Sequence, residues 1–230
     1  MEIHGIQKMT LLDYPEKVAC TIFTARCNFR CPFCHNASLV THVDMEEAIP
    51  EEDIFSFLRK RQGILDGVCI TGGEPLLQPD IENFIRNVKA LGYLVKLDTN
   101  GSNVLMLKRL VESRLVDYVA MDIKNAPDKY GMTIGIDEYD MSNIFQSVDF
   151  LMRGEVPYEF RTTVVRQFHK REDFAAIGRW IKGAKRYYLQ SFVDSGDLIG
   201  SGVTGYTKEI MEQALEIVQR NIPNAKLRGV

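Results

Sequence analysis

Three cysteines, Cys27, Cys31 and Cys34, stand within eight residues in the run CNFRCPFC. Thiolates this close together on one short segment are metal ligands in type and spacing. A cubane iron–sulfur cluster takes thiolate ligands, and three of them leave its fourth iron open to bind something else. Zinc is the alternative; it needs a fourth ligand from His35, His42, Cys20 or Cys69, and the second ligand pair usual in zinc sites is missing. A disulfide framework explains so tight a group poorly, and the total of five cysteines is odd, so metal or redox chemistry in a reducing compartment suits the chain. Cys20 and Cys69 lie in apolar strand patterns and read as small core residues.

Residues that could act with the cysteines recur at the ends of strand-like runs. Six runs rich in β-branched and aromatic residues cover 18–24, 67–71, 93–99, 117–123, 158–165 and 186–192. Segments with helical spacing follow them or lie between them at 51–61, 80–91, 103–114, 137–152, 172–182 and 207–220. Strand, helix, strand connections in one sheet are parallel and right-handed, so six such units make either a doubly wound sheet or most of a barrel. The polar residues select the barrel. The cysteine loop follows the first run, Gly72-Gly73-Glu74-Pro75 the second, Asp98-Thr99-Asn100-Gly101 the third, and Asp122 with Lys124 the fourth; Arg161 lies in the fifth and Gln190 near the end of the sixth. In an α/β fold of the partial (β/α)6 TIM-barrel type with a parallel sheet, these groups converge on one mouth. One domain over residues 1–230 is expected.

Several of these residues have plain structural readings too. Gly-Gly and Asp-x-Asn-Gly are good turn sequences. Asp122 and Lys124 share a strand face and could be an ion pair. Arg161 in an apolar strand is costly to bury alone, so it meets an anion at the mouth or a neighbouring acid. Trp180, the apolar residues of 55–58, His42 and His169 carry no chemical context. The Gly/Ser-rich stretch 195–205 is the one segment expected to be mobile.

CNFRCPFCHN followed by GGEP and LDTNG resembles the radical S-adenosylmethionine superfamily, and more narrowly its glycyl-radical-enzyme activating members. LLDYPEKVACTIFT before the cysteines and MDIK after them are most similar to the activators of anaerobic ribonucleoside-triphosphate reductase. The resemblance implies a radical S-adenosylmethionine core fold, with a [4Fe-4S] cluster on Cys27, Cys31 and Cys34 whose open iron binds the cofactor. It implies that Glu74 accepts from the methionine ammonium, with Gly72 and Gly73 allowing close backbone approach, and that Asp98 and Asn100 bond the ribose. Phe33 and its backbone would meet the adenine, and Lys124 the methionine carboxylate, with Arg161 and Gln190 also in the cofactor site. Asp98, Thr99 and Asp122 would hold a monovalent cation. The reaction implied is hydrogen abstraction from a glycine α-carbon of a partner enzyme, with flavodoxin or ferredoxin as electron donor.

Two positions depart from the pattern. Arg26 stands where glycine usually precedes the first cysteine, and Val193 where formate-lyase activators carry a histidine. No cysteine lies between Cys34 and Gly72, so one cluster and no inserted ferredoxin-like domain are expected. Two rival functions remain: a radical enzyme acting on a small molecule, such as a deazaguanine precursor, and a zinc-stabilised binding module. The net charge of −3, with lysines and arginines spread along the chain, gives no footprint for nucleic acid or an anionic membrane. No apolar run approaches a bilayer span and the first residues are too polar for a secretory signal, so a cytoplasmic location is expected.

Overall fold

The computed structural model describes residues 1–194 and 196–230; Ser195, which opens the stretch expected to be mobile, lies outside the described residues. Among the described residues eight strands form: β1 (Ile3–Thr10), β2 (Ala19–Thr24), β3 (Gly67–Gly72), β4 (Leu94–Thr99), β5 (Tyr118–Asp122), β6 (Tyr158–Val164), β7 (Tyr187–Ser191) and β8 (Lys226–Arg228). The α-helices among them are α1 (Ala37–Val40), α2 (Glu51–Arg59), α3 (Ile81–Ala90), α4 (Val104–Glu112), α5 (Tyr130–Ile134), α6 (Ser142–Met152), α7 (Arg171–Trp180) and α8 (Lys208–Gln219). The strands follow one another in sheet order from β1 to β8, which are its two ends. β1 runs antiparallel to β2, whereas β2 with β3, β3 with β4, β6 with β7 and β7 with β8 are parallel. This is an α/β fold with a parallel-dominated, unclosed sheet, as the six strand–helix units require.

The chain forms two compact units, the first from residues 1–28, 38–120 and 155–157, the second from 29–37, 121–154 and 158–230. In the first, β2 and β3 are buried on both faces, which is why they read as continuous apolar runs. Helix α3 buries Ile81, Phe84, Ile85 and Val88 along one stripe, and α4 buries Val104, Leu107, Leu110 and Val111. In the second, α7 buries Phe174 and Ile177, and α8 buries Met211, Ala214, Ile217 and Val218. No helix among the described residues is long and apolar enough to cross a membrane.

Three differences from the sequence pattern have physical causes. β1 has no clean alternation, burying only Ile3 and Thr10 fully, and is ordered by its antiparallel ladder with β2. β8 is three residues long and owes its strand conformation to pairing with β7. The helix expected over 137–152 begins at Ser142 because the Asp140 carboxylate accepts from Ser142 N (2.9 Å) and Oγ (2.6 Å). That local bonding sets the helix start, and Glu138 just before it has φ +53°.

Candidate active site

In the first unit the site is built around the residues before and after Cys27. Arg26 adopts a left-handed conformation, φ +68°, which explains why a glycine is usual there. Its N–H donates to Leu39 O (2.8 Å) and its carbonyl accepts from Glu74 N (2.7 Å), while Gly73 N donates to Thr24 O (2.7 Å). The glycine pair at the end of β3 thus lies directly on the segment leading to the first cysteine. A Cβ on Gly73 would stand 2.0 Å from Arg26 O, and one on Gly72 2.4 Å from Thr24 O. The close backbone approach that requires these glycines is therefore made to the protein's own chain.

Glu74 is fully buried. One carboxylate oxygen accepts from Leu76 N (3.1 Å) and Thr99 Oγ1 (2.7 Å), the other from Asn100 N (2.6 Å). Asn100 continues the chain of contacts. Its Oδ1 accepts from Ser102 N (2.9 Å), which turns Nδ2 towards Asn28 Oδ1 (2.9 Å) and Cys27 Sγ (3.8 Å). Asn28 Nδ2 in turn donates to Ser102 Oγ (2.9 Å). Glu74 holds the turn after β4, and that turn holds Cys27.

Deeper on the same unit, Asp98 accepts from the Lys96 ammonium. The Cys69 thiol lies 3.7 Å from both the Asp98 carboxylate and Lys96 Nζ. Cys69, read from the sequence as a core residue, and Lys96, which that reading does not single out, are both members of this polar cluster. The available signal is the alternation of β4: Leu94, Lys96 and Asp98 share one face, and buried Val95 and Leu97 the other.

In the second unit Cys34 N donates to Cys31 O (3.0 Å), closing a turn around Pro32 and Phe33. Phe33 is buried, its ring 5.5 Å from Phe168 and 6.5 Å from His169, so the loop aromatic is a packing anchor here. Gly200 N donates to Pro32 O (2.8 Å), and Gln167 Nε2 donates to Gly202 O (2.8 Å). These bonds tie the described part of the Gly/Ser-rich stretch to the unit. Arg30 N donates to Ile134 O (2.8 Å) beside Gly135, whose left-handed φ of +70° ends α5. His35 stacks on Phe192 at 5.0 Å and bonds Val193 O (2.7 Å).

At the end of β5, Asp122 receives Lys124 Nζ (2.9 Å) and Arg161 Nε (3.1 Å), so Arg161 meets an acid of its own chain. Burial alone would raise the Asp122 pKa, but Lys124 and Arg161 hold it down at about 2. Burial would likewise neutralise Lys124; Asp122 and the thiols of Cys31 and Cys34 keep it charged and its pKa raised. Gln190 accepts from Arg228 Nη1 (3.4 Å), which also bonds buried Glu159 (3.1 Å), with the guanidinium 3.9 Å above the Tyr188 ring.

Among the described residues no three His, Cys, Asp or Glu side chains close on a common point as ligands of one ion would. Three thiolates on three different irons of a cubane have no such common point. The donor set fits that group: none of the five cysteines is in a disulfide, an amide N–H faces Cys27, and the half-buried Lys124 ammonium sits in the field of Cys31 and Cys34.

Comparison with known proteins gives the same direction. Residues 21–181 match the family model described as the radical SAM superfamily. A Methanocaldococcus jannaschii protein, named provisionally as a glycyl-radical enzyme activating enzyme, is 34% identical over 197 residues, covering 83% of this chain and 79% of that one. The pyruvate formate-lyase-activating enzyme of Clostridium pasteurianum is 31% identical over 55% of this chain and 53% of its own. GTP 3′,8-cyclase of Helicobacter pylori is 26% identical over 73% of this chain and 51% of its own. The chain spans about half the length of these last two. In fold it is similar to Streptococcus suis SuiB bound to a precursor peptide, with a TM-score of 0.72 at 16% identity over 91% of this chain and 48% of that one.

Proposed function

The chain belongs to the radical SAM superfamily, and from that membership we propose that it is an activating enzyme that installs a glycyl radical in a partner enzyme. Membership brings a [4Fe-4S] cluster and S-adenosylmethionine as cofactors. When bound, they supply one-electron cleavage of the sulfonium to a 5′-deoxyadenosyl radical able to abstract hydrogen. The observation that carries the activating role is the nearly full-length likeness to the Methanocaldococcus protein, 83% of one chain against 79% of the other. The flanking words LLDYPEKVACTIFT and MDIK favour anaerobic ribonucleoside-triphosphate reductase as the partner, with flavodoxin or ferredoxin as electron donor.

In this reading Cys27, Cys31 and Cys34 each ligate one iron. The Asn100 amide and the Lys124 ammonium stabilise thiolate charge, and Glu74 positions Asn100. Lys124 is also the residue to meet the methionine carboxylate. The segment around Phe33 faces the adenine, and Asn100 with Asp98 the ribose. Gly72 and Gly73 bring the backbone within reach, while Arg161 and Gln190 complete the cofactor's surroundings. The whole of 1–230 acts as one radical SAM domain.

The test is anaerobic reconstitution, reduction, and electron spin resonance with S-adenosylmethionine and the purified reductase. A cluster signal that shifts with the cofactor, 5′-deoxyadenosine release and a radical doublet on the reductase are the expected results. The likeness to GTP 3′,8-cyclase supports a second reading, a small-molecule substrate. Turnover of a nucleotide without any partner protein would select it.

A further inference from the structure

Three side chains, Asp98, Thr99 and Asp122, are the ones the family likeness points to for a monovalent cation, and each is engaged otherwise. The Thr99 hydroxyl donates to Glu74 (2.7 Å) and accepts from Gly101 N (3.1 Å). Asp122 is bonded to Lys124 and Arg161. Asp98 is bonded to Lys96, whose side chain is 2% exposed against 13% for Asp98.

Lys96 is the unusual partner. Lysine is among the residues least often fully buried, because removing an ammonium from water without an anion is expensive. Here the strand forces it inside: Lys96 and Asp98 are two apart on β4, so both project from the same face, and Cys69 is the register partner of Lys96 on β3. The Cys69 thiol lies 3.7 Å from each of the two charged groups. An ammonium is a compact unit charge on a tether. It carries the charge of an alkali cation without having to be recruited from solution.

We propose that Lys96 is the built-in counter-cation of Asp98, so that the cofactor site of this chain works without a bound monovalent cation. The proposal rests on the radical SAM reading of the site. It concerns which positive charge neutralises Asp98, and it separates this chain from relatives that lack a lysine two residues before the Asp-Thr pair.

The experiment compares reconstituted wild type with Lys96→Met in buffers whose only cation is tetramethylammonium, with and without added potassium or sodium at constant ionic strength. S-adenosylmethionine binding is followed by the change in the reduced-cluster resonance, and thermal unfolding is followed on the cofactor-free chains. The expected wild type binds equally well in every salt. In Lys96→Met, binding in tetramethylammonium falls by about tenfold or more and potassium or sodium restores it; its unfolding temperature rises on adding the small cation, whereas that of wild type does not. Wild-type binding that improves tenfold with potassium would overturn the proposal, as would a Lys96→Met chain indifferent to the cation in both measurements. The Lys96→Met/Asp98→Asn double variant, neutral at both positions, controls for folding and should be cation-independent. If no protein binds S-adenosylmethionine in any salt, the reading of the site fails, and the unfolding comparison alone decides on Lys96.

Discussion

Asn100 shows what one side chain does at this site. Its amide is fixed by Ser102 N on one side and reaches Asn28 and Cys27 on the other. N–H donors next to cluster thiolates raise the reduction potential and orient the ligand. Asn100→Ala should therefore lower the cluster potential in a redox titration and cut cluster retention under chelator challenge by about tenfold. An unchanged potential would return Asn100 to a role on the cofactor alone. Glu74→Gln tests the step behind it. Both carboxylate oxygens accept backbone N–H groups, so an amide must turn a donor towards a donor, at a cost of about 2–3 kcal/mol in urea unfolding. Gly73→Ala should be severe, about 3 kcal/mol or more, since the new methyl meets backbone 2.0 Å away. Arg26→Gly should raise the unfolding midpoint, because glycine adopts φ +68° without strain and the exposed Arg26–Glu2 pair is worth little.

At the scale of elements, the segment after β5 depends on a buried histidine. His169 Nδ1 lies 3.1 Å from Val165 N and 3.2 Å from Val165 O, and Nε2 lies 2.9 Å from Lys124 O. Burial lowers the His169 pKa, against the backbone contacts with Lys124 and Val165, which raise it. Because the unfolded chain takes up the proton first, stability should decline as pH falls below about 6.5 and level off below the folded-state pKa. His169→Gln should flatten that part of the urea-midpoint profile. Asp122 acts in a lower window: its pairing is complete above about 4 and is lost as pH falls through about 2, so Asp122→Asn should lower stability throughout the range above about 4 and flatten the acid end of the profile. The six principal strands and helices are legible in the sequence, because burial on both faces or along one stripe leaves a clear apolar period. β1 and β8 are not, because their conformation is supplied by the neighbouring strand instead of their own residues.

For the whole molecule, a net charge of −3 without a basic cluster predicts no affinity for nucleic acid. A labelled duplex should show no change in anisotropy at micromolar protein and physiological salt; binding with a steep salt slope would reverse that. The sequence singles out Cys27 by spacing, and Glu74, Asn100 and Asp122 by their place at strand ends and by resemblance to the family. Their partners are not singled out, since Lys96, Asn28 and Ser102 become relevant only when strands distant in sequence are placed side by side. The chain of bonds from Glu74 through Asn100 to Cys27 also bears on ancestry. In the proposed function these residues serve twice, once in folding and once in chemistry. A descendant that lost its cysteines, and with them the reaction, would still be obliged to keep GGE and TNG in order to fold, so those words mark lineage more durably than they mark activity.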